Sequence, residues 1–99
     1  MADYSLTRKA RTDLLQIGRY TQRRWGAGQR RKYLDQMAAR MPALAVEPGM
    51  GAPRDDLREG YRSFRQGRHL IFYRQSGDGI LVVRVLHVRM DVRRHLEAE

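Results

Sequence analysis

YRSFRQ at residues 61–66, HLIFYRQ at 69–75 and ILVVRVLHV at 80–88 decide the fold of this chain. β-Branched and aromatic residues dominate all three stretches, which is typical of β-strands. The first two are separated by a tight turn at Gln66–Gly67 and the last two by SGDG at 76–79. The pattern therefore predicts an antiparallel meander of three strands.

The predicted register sorts the strand residues into two faces. A turn at Gln66–Gly67 places Phe64 opposite His69. It also places Tyr61 opposite Phe72, and side chains alternate between the faces from there. The first face holds Tyr61, Ser63, Leu70, Phe72, Leu81, Val83, Val85 and His87. The second face holds Arg62, Phe64, His69, Ile71, Tyr73, Val82, Arg84, Leu86 and Val88. Both faces are apolar at the centre, so we expect a cover on each: helices on one, and the C-terminal segment, a partner protein or both on the other.

Two amphipathic helices are predicted before these strands. Asp3–Leu6 has the pattern of a short opening strand, and Thr7 is placed to cap the helix that follows. The first helix has an apolar stripe at steps of three and four residues, formed by Ala10, Leu14, Ile17, Thr21 and Trp25. Gly26 and Gly28 break it in a GAG connection. A second stripe then follows, formed by Tyr33, Leu34, Met37, Ala38, Met41 and Leu44.

Pro42 falls inside the second stripe, and we expect it to kink or end that helix unless a new turn starts beyond it. Residues 47–60, rich in proline and glycine, are predicted to form a loop. After Met90, the segment DVRRHLEAE is predicted to form a short helix capped by Asp91. We therefore expect one α+β domain over residues 1–99. It comprises an N-terminal strand and a two-helix hairpin packed on a twisted antiparallel sheet of about four strands, with a short C-terminal helix.

The chain is strongly basic. Its 20 Lys and Arg against 11 Asp and Glu give a formal charge of +9 and a pI of about 11.0. An anionic partner is therefore expected, either a nucleic acid or an acidic protein. Charge alone does not choose between them, and an arginine-rich genome composition would raise the same count.

Composition also disfavours several classes of function. The chain has no cysteine and three scattered histidines, so a disulfide framework, a thiolate site or a zinc cluster is not expected. No apolar run approaches the roughly 20 residues of a membrane span, and the start MADYSLTRKA has no signal-peptide pattern. No motif for nucleophilic or phosphate-loop chemistry is visible. We expect a cytoplasmic protein with no metal, no cofactor, no membrane contact and no catalytic residue.

Two patterns leave nucleic-acid chemistry open. His87, with Arg84 and Arg89 beside it, could serve a nuclease as an acid–base group, although a single histidine at a strand end more often caps the strand. Tyr61, Tyr73 and Phe72 among arginines would suit base stacking, although core packing explains them more simply.

The start YSLTRKARTDLLQIGRYTQRRWG, the central HLIFYR and the closing RVLHVRMDVRRHL resemble the ParE branch of the RelE/ParE toxin superfamily over nearly the whole chain. The order of elements also matches that family's fold. The resemblance implies the toxin of a type II toxin–antitoxin module. It further implies neutralisation by direct binding of a ParD-like antitoxin in a hetero-oligomer, and DNA gyrase as the target, with no direct contact to nucleic acid required.

The ribonuclease branch of the same superfamily is the alternative, acting as a ribosome-dependent mRNA endonuclease of the RelE type. That branch places cations on the open sheet face, where this chain has Tyr61, Ser63 and Leu70. Cations stabilise the charge that develops in phosphoryl transfer, so their absence favours binding over catalysis. A plain RNA- or DNA-binding module is a third alternative that the charge permits.

The resemblance and the sheet pattern together give two sets of candidate binding residues. The predicted antitoxin-binding set combines first-face anchors with residues of the helical hairpin: Tyr61, Leu70, Phe72, Val85, His87, Trp25, Tyr33 and Met37. The predicted target-binding set consists of cations and their neighbours, expected to be exposed: Arg58, Arg62, Arg89, Met90, Arg93 and His95.

Overall fold

The computed structural model describes residues 2–97, with the backbone alone at Glu97. Its elements are β1 (Tyr4–Leu6), α1 (Arg8–Trp25), α2 (Ala27–Val46), a 3-10 turn (Pro48–Met50), β2 (Ala52–Pro53), β3 (Arg62–Gln66), β4 (His69–Ser76), β5 (Gly79–His87) and α3 (Val92–Glu97). The strands form one sheet in the order β1-β5-β4-β3-β2, in which β1 is parallel to β5 and the other pairs are antiparallel. The α+β class is confirmed, with five strands where about four were expected, because β2 adds a two-residue edge. None of the helices in the described part of the chain is long and apolar enough to cross a membrane.

The helical hairpin starts and turns where its capping residues lie. Thr7 Oγ1 accepts a hydrogen bond from the Ala10 backbone N–H at 3.0 Å, so Thr7 is the N-cap of α1, as predicted. Gly26 ends α1 with a φ of +94°, a backbone conformation that residues other than glycine rarely adopt. α2 begins at the next residue and includes Gly28, so the link is shorter than the predicted GAG connection.

α2 continues through Pro42 to Val46, where the sequence predicted a kink or an end. Proline has no N–H, which leaves the carbonyl of Ala38 without its helical donor. Because Ala38 is exposed, water can take the donor's place. Leu44 and Ala45, beyond the proline, are buried in the core, and their packing holds the last turn in the helix.

The β3–β4 turn lies one residue later than predicted, at Gly67–Arg68. Gln66 pairs with His69, so the strands are shifted by two residues from the expected pairing. Tyr33 of α2 fixes this turn, because its hydroxyl accepts from the Arg68 N–H and lies beside the Gln66 carbonyl oxygen, each at 3.1 Å. The shift is an even number of residues, so the faces predicted for β3 and β4 are unchanged.

A β-bulge in β5 overturns the predicted faces of that strand. Between Phe72 and Tyr73 the pairing with β5 shifts by one residue, which leaves Val83 as the extra residue. Every β5 residue beyond the bulge therefore points to the side opposite from the one predicted. The expectation that Val85 and His87 share a face with Phe72 is wrong, since both lie on the side that faces the helical hairpin.

The sheet carries one apolar cluster on each side. On the hairpin side the buried members are Ala10, Ile17, Met37, Met41, Leu44, Ala45, Ile71, Tyr73, Ile80, Val82 and Val85. On the far side they are Tyr61, Phe72, Val83, Leu86 and Leu96, with Leu57, Leu70, Leu81 and Val92 packed around them. Leu96 and Val92 belong to α3, whose N-cap is Asp91: its Oδ1 accepts from the Arg94 N–H at 3.2 Å. The C-terminal segment thus covers the second face, one of the covers that the sequence predicted.

A buried ion pair closes the edge of the sheet. β1 pairs with β5 only at Ile80–Val82, so the rest of that β5 edge has no neighbouring strand. Asp13 of α1 takes the vacant place, because its Oδ2 accepts from the Val85 backbone N–H at 3.0 Å. Its two oxygens also accept from Arg84 at 2.8 and 2.9 Å, and the two side chains are only 8% and 14% exposed. Arg84 also donates to the His95 carbonyl at 3.3 Å, so this edge ion pair joins α1, β5 and α3.

Arg84→Met is expected to lower the free energy of unfolding by about 3–5 kcal/mol, because it leaves the Asp13 carboxylate buried without its counter-ion. Urea unfolding followed by circular dichroism measures the decrease. The matched control is Arg93→Met, which breaks an exposed ion pair with Asp56 and should cost at most about 1 kcal/mol. Equal decreases for the two variants would contradict the role given to the edge ion pair.

Candidate partner-binding groove

A groove of about 470 Å³ opens between the α1–α2 link and the end of the sheet. The helices form one wall, and the β3–β4 turn with the end of β5 forms the other. Its lining residues are Tyr20, Thr21, Trp25, Gln29, Tyr33, Gly67, Arg68, His69 and His87. Three of the nine are aromatic, two are histidines and none is an acid, and we call this site the aromatic groove.

Tyr33 fixes the floor of the aromatic groove. Its hydroxyl lies 2.6 Å from Nδ1 of His69, in addition to its contacts with the β3–β4 turn. Gly67 packs directly against the Tyr33 ring: a side-chain carbon there would come within 2.6 Å of Cε1, and the φ of +61° is itself unfavourable for other residues. Burial raises the pKa of Tyr33, so the hydroxyl stays protonated at neutral pH. The floor is therefore a rigid junction between α2 and the sheet.

His69 contributes an uncharged ring to this floor at neutral pH. Burial, and after it the charge of the neighbouring His87, lower the pKa of His69 to about 4. The two imidazole rings meet edge to face, with their centroids 5.3 Å apart. Nδ1 of His87 accepts the Arg89 backbone N–H at 3.1 Å, which fixes the orientation of that ring.

Tyr20 and Trp25 stand at the rim of the aromatic groove, with 55% and 58% of their surface exposed. Large exposed aromatic side chains on a small domain are typical of binding surfaces, since aromatic residues are enriched at protein interfaces. The Arg24 guanidinium lies 5.7 Å from the Trp25 ring centroid, and Arg68 is exposed on the opposite wall. Apolar rings bordered by cations suit a polypeptide segment that carries both apolar groups and carboxylates.

The structure brings three of the predicted antitoxin-binding residues together, because Trp25, Tyr33 and His87 all line the aromatic groove. Leu70 lies apart from them on the far side, where it is half-buried against the cluster around Phe72. Within residues 2–97, no group of three or more His, Cys, Asp or Glu side chains could hold a metal ion.

The other predicted antitoxin-binding residues are not exposed. Met37 and Val85 are 1% and 2% exposed inside the hairpin-side cluster. Tyr61 and Phe72 are 5% and 0% exposed beneath α3 and the loop at 54–60. These four residues are covered in the chain by itself, and their contact with an antitoxin stays a prediction. The physical reason is that the chain covers its own apolar surface, with the hairpin on one side of the sheet and α3 on the other.

The predicted target-binding residues divide in a similar way. The exposed ones are Arg58, Arg89, Met90 and Arg93. Arg62 is half-buried instead, and its Nη1 donates to the Gly51 carbonyl at 2.8 Å, so it braces the chain next to β2. His95 is half-buried in α3. The expectation that Arg62 and His95 are exposed is therefore wrong.

Sequence reasoning missed Tyr20, Arg68 and His69 as groove residues. Tyr20 carries a usable signal, since it is an aromatic residue outside the apolar stripe of α1. His69 and Arg68 carry none, because their place in the groove depends on the position of the β3–β4 turn, which Tyr33 fixes.

Comparison with known proteins gives the class of this domain. Residues 4–92 match the family model described as "ParE toxin of type II toxin-antitoxin system, parDE", which covers nearly the whole chain. The class defined by the fold and the match is therefore that of the toxins of toxin–antitoxin systems.

Individual relatives agree with this class. The chain is 42% identical over 96 residues to Toxin ParE1 of Caulobacter vibrioides, covering 97% of this chain and 99% of that protein. It is 42% identical over 94 residues to Toxin ParE1 of Mycobacterium tuberculosis, covering 94% and 96%. It is 38% identical over 100 residues to Toxin ParE of Escherichia coli, covering 97% and 94%. The chain belongs to the ParE toxin family.

A solved structure shares the fold. It is described as "Chromosomal ParDE TA system from P. aeruginosa", and the TM-score is 0.76 at 23% sequence identity, covering 90% of this chain and 98% of that chain. The resemblance that the sequence showed and the fold class that it implied are both confirmed.

Stability is expected to decrease as the pH falls from about 6.5 to about 4, because the lowered pKa of His69 lets the unfolded chain take up a proton before the folded one. Below a pH of about 4, His69 is protonated in both the folded and the unfolded chain, so it no longer contributes to the pH dependence of the free energy of unfolding. His69→Asn keeps a polar group near Nδ1 but does not titrate, so its free energy of unfolding should depend less on pH in this window. Urea unfolding at several pH values measures both slopes.

His95→Asn is the control, since it also removes one histidine but lies outside the groove. The pH dependence lost in His69→Asn should exceed any change in this control. If the free energy of unfolding depends on pH in the same way for the wild type and His69→Asn, His69 does not cause the loss of stability in this pH range.

Proposed function

We propose that this chain is the toxin of a type II toxin–antitoxin pair in the bacterial cytoplasm. In this proposal a ParD-like antitoxin neutralises it by occupying the aromatic groove, and the free toxin inhibits DNA gyrase. Membership of the ParE toxin family supports the first statement. The pairing is extended from the Pseudomonas structure, whose description names a ParDE system. Gyrase is the target that the family resemblance implies.

The observation that carries the docking site is the exposure of Tyr20 and Trp25 above an open groove. Every other aromatic residue of the described chain is buried or half-buried, so these two exposed aromatic side chains are the exception. An apolar antitoxin side chain entering the groove would meet the rings of Trp25, Tyr33 and His87. Carboxylates beside it would meet Arg68 without repulsion, because none of the described residues that line the groove is Asp or Glu.

Trp25→Ala is expected to weaken binding of the cognate antitoxin by about 10- to 100-fold, because a tryptophan at the centre of an interface commonly contributes about 2 kcal/mol or more. Isothermal titration calorimetry with purified antitoxin measures the change. The fold should be unaffected, since the side chain is mostly exposed. The control is Val46→Ala at the other end of α2, where 72% of the residue is exposed. If both variants bind like the wild type, the antitoxin does not use the groove.

Contact with the target is assigned to the exposed residues near α3, namely Arg58, Arg89, Met90 and Arg93. Two of them are held in place by the fold, which suits a preorganised contact. Arg93 Nη1 donates to the Asp56 carbonyl at 3.0 Å, and the Arg58 guanidinium lies 5.9 Å from the Tyr61 ring centroid.

Toxin purified away from its antitoxin is expected to inhibit DNA supercoiling by gyrase. The double variant Arg89→Ala, Arg93→Ala should need at least about tenfold more protein for half-inhibition, while still binding antitoxin, because it removes two exposed cations from the proposed contact. Arg65→Ala, Arg74→Ala is the control with the same change of charge on another surface. If the wild type does not inhibit supercoiling, gyrase is not the target. If the double variant inhibits supercoiling as strongly as the wild type, Arg89 and Arg93 do not contact the target.

A ribosome-dependent mRNA endonuclease of the RelE type is the second candidate. One observation favours it: His69, His87 and the hydroxyl of Tyr33 meet in a single groove, and such groups can move protons. Cleavage of message on purified ribosomes by the wild type, abolished in His87→Asn, would support this candidate. Intact message beside inhibited gyrase would exclude it in favour of the first.

A further inference from the structure

Positive charge is concentrated on the helical hairpin. Residues 8–46 contain ten of the twenty Lys and Arg but only two of the eleven Asp and Glu, which gives this part a net charge of +8. The remaining residues contain the other ten cations together with nine acids. An arginine-rich composition would raise the cations in both parts, but it would not remove acids from one of them. The asymmetry therefore needs another explanation.

Arg8, Arg19 and Arg23 form a ridge along the solvent side of α1. Each lies two residues along the chain from a member of the buried stripe. At about 100° per residue, this places it about 200° around the helix axis from that stripe, on the opposite side. All three are exposed, and none forms an ion pair within residues 2–97. The single acid of α1, Asp13, is buried in its pair with Arg84 and so does not neutralise the ridge. We call these three residues the arginine ridge.

The arginine ridge has the features of a contact with phosphates in a duplex. From Arg8 to Arg23 it spans about 22 Å along a rigid helix, at about 1.5 Å per residue. Leu15 is the one large exposed apolar side chain that α1, described in full, presents beside these arginines, so an apolar anchor of the kind that protein interfaces need is poorly supplied. The aromatic side chains of α1, which could stack the bases of a single strand, border the aromatic groove instead. Cations without anchors or stacking groups fit contacts to a nucleic-acid backbone.

We propose that the arginine ridge binds the phosphate backbone of duplex DNA without reading its sequence. The choice of DNA over RNA rests on the proposed inhibition of gyrase, which acts on duplex DNA. The ridge lies on the solvent side of α1, whereas the aromatic groove lies between the helices and the sheet. One toxin molecule therefore has separate surfaces for DNA and for a protein partner.

The test is fluorescence anisotropy of a labelled DNA duplex with purified toxin, without gyrase and without antitoxin, at about 50 to 200 mM salt. The triple variant Arg8→Gln, Arg19→Gln, Arg23→Gln is expected to bind at least about tenfold more weakly at the lowest salt. In a plot of log affinity against log salt concentration, the slope of the variant should be smaller in magnitude by roughly 2 to 3. Each phosphate that the variant no longer neutralises accounts for about 0.9 of this difference. Glutamine preserves helix propensity, and circular dichroism checks the fold.

The matched control is Arg65→Gln, Arg74→Gln, Arg94→Gln, which removes the same three charges from exposed positions outside the hairpin and should keep the wild-type slope. Equal weakening by the two triple variants would overturn the proposal, because binding would then follow net charge alone. Tighter binding of a duplex RNA of the same length would overturn the choice of DNA. Weaker antitoxin binding with unchanged DNA binding would assign the ridge to the antitoxin instead. Since the assay contains no gyrase, a toxin that binds DNA through the ridge but leaves supercoiling intact would contradict only the proposed function.

Discussion

The contact on which the rest of the structure depends is the bidentate ion pair between Asp13 and Arg84. A strand as short as β1 covers only part of β5, and the open remainder would expose unpaired backbone groups. Asp13 accepts from the Val85 N–H and from Arg84 at once, so a single carboxylate of α1 takes the place of the missing strand. Arg84 starts beside Phe72 on the far side of the sheet and reaches round its edge. The pair therefore fastens both layers of the fold to one strand.

The position of the aromatic groove follows from this attachment. Because α1 is fixed to β5 at Asp13, its C-terminal half must pass over the end of the same strand. Trp25 and Tyr20 come to lie above His87 there, although they are not close to it in sequence. Tyr33 completes the arrangement from α2 by bonding the β3–β4 turn. The groove is thus built from rigid elements, which suits a site that must bind without first being ordered.

Much of the fold could be predicted because its signals are local. The three central strands, both helices of the hairpin, the cap at Thr7 and the helix after Asp91 all follow from periodicity and capping chemistry. The bulge at Val83 could not, since valine suits a paired strand position as well as a bulged one, and tertiary contacts at the sheet edge decide between them. That one extra residue moved Val85 and His87 to the other face. The places of Trp25 and Tyr33 in the groove follow from the helical pattern, whereas the place of His87 depends on the bulge. That these residues bind an antitoxin stays a prediction.

The chemistry of His69 suits a structural role in the floor of the groove better than the role of a general acid. A general acid or base works best when its pKa is near the working pH, and a group with a pKa of about 4 is protonated in only about one molecule in a thousand at pH 7. His69 is thus a poor acid, and its Nδ1 is already engaged by the Tyr33 hydroxyl. Nδ1 of His87 is engaged by a backbone N–H in the same way. Each ring uses one nitrogen to hold the fold, and no carboxylate among the described residues lines the groove. The charge of Asp13 raises the pKa of His69 by less than burial and His87 lower it. The uncharged ring of His69 thus forms part of a floor against which a side chain can pack.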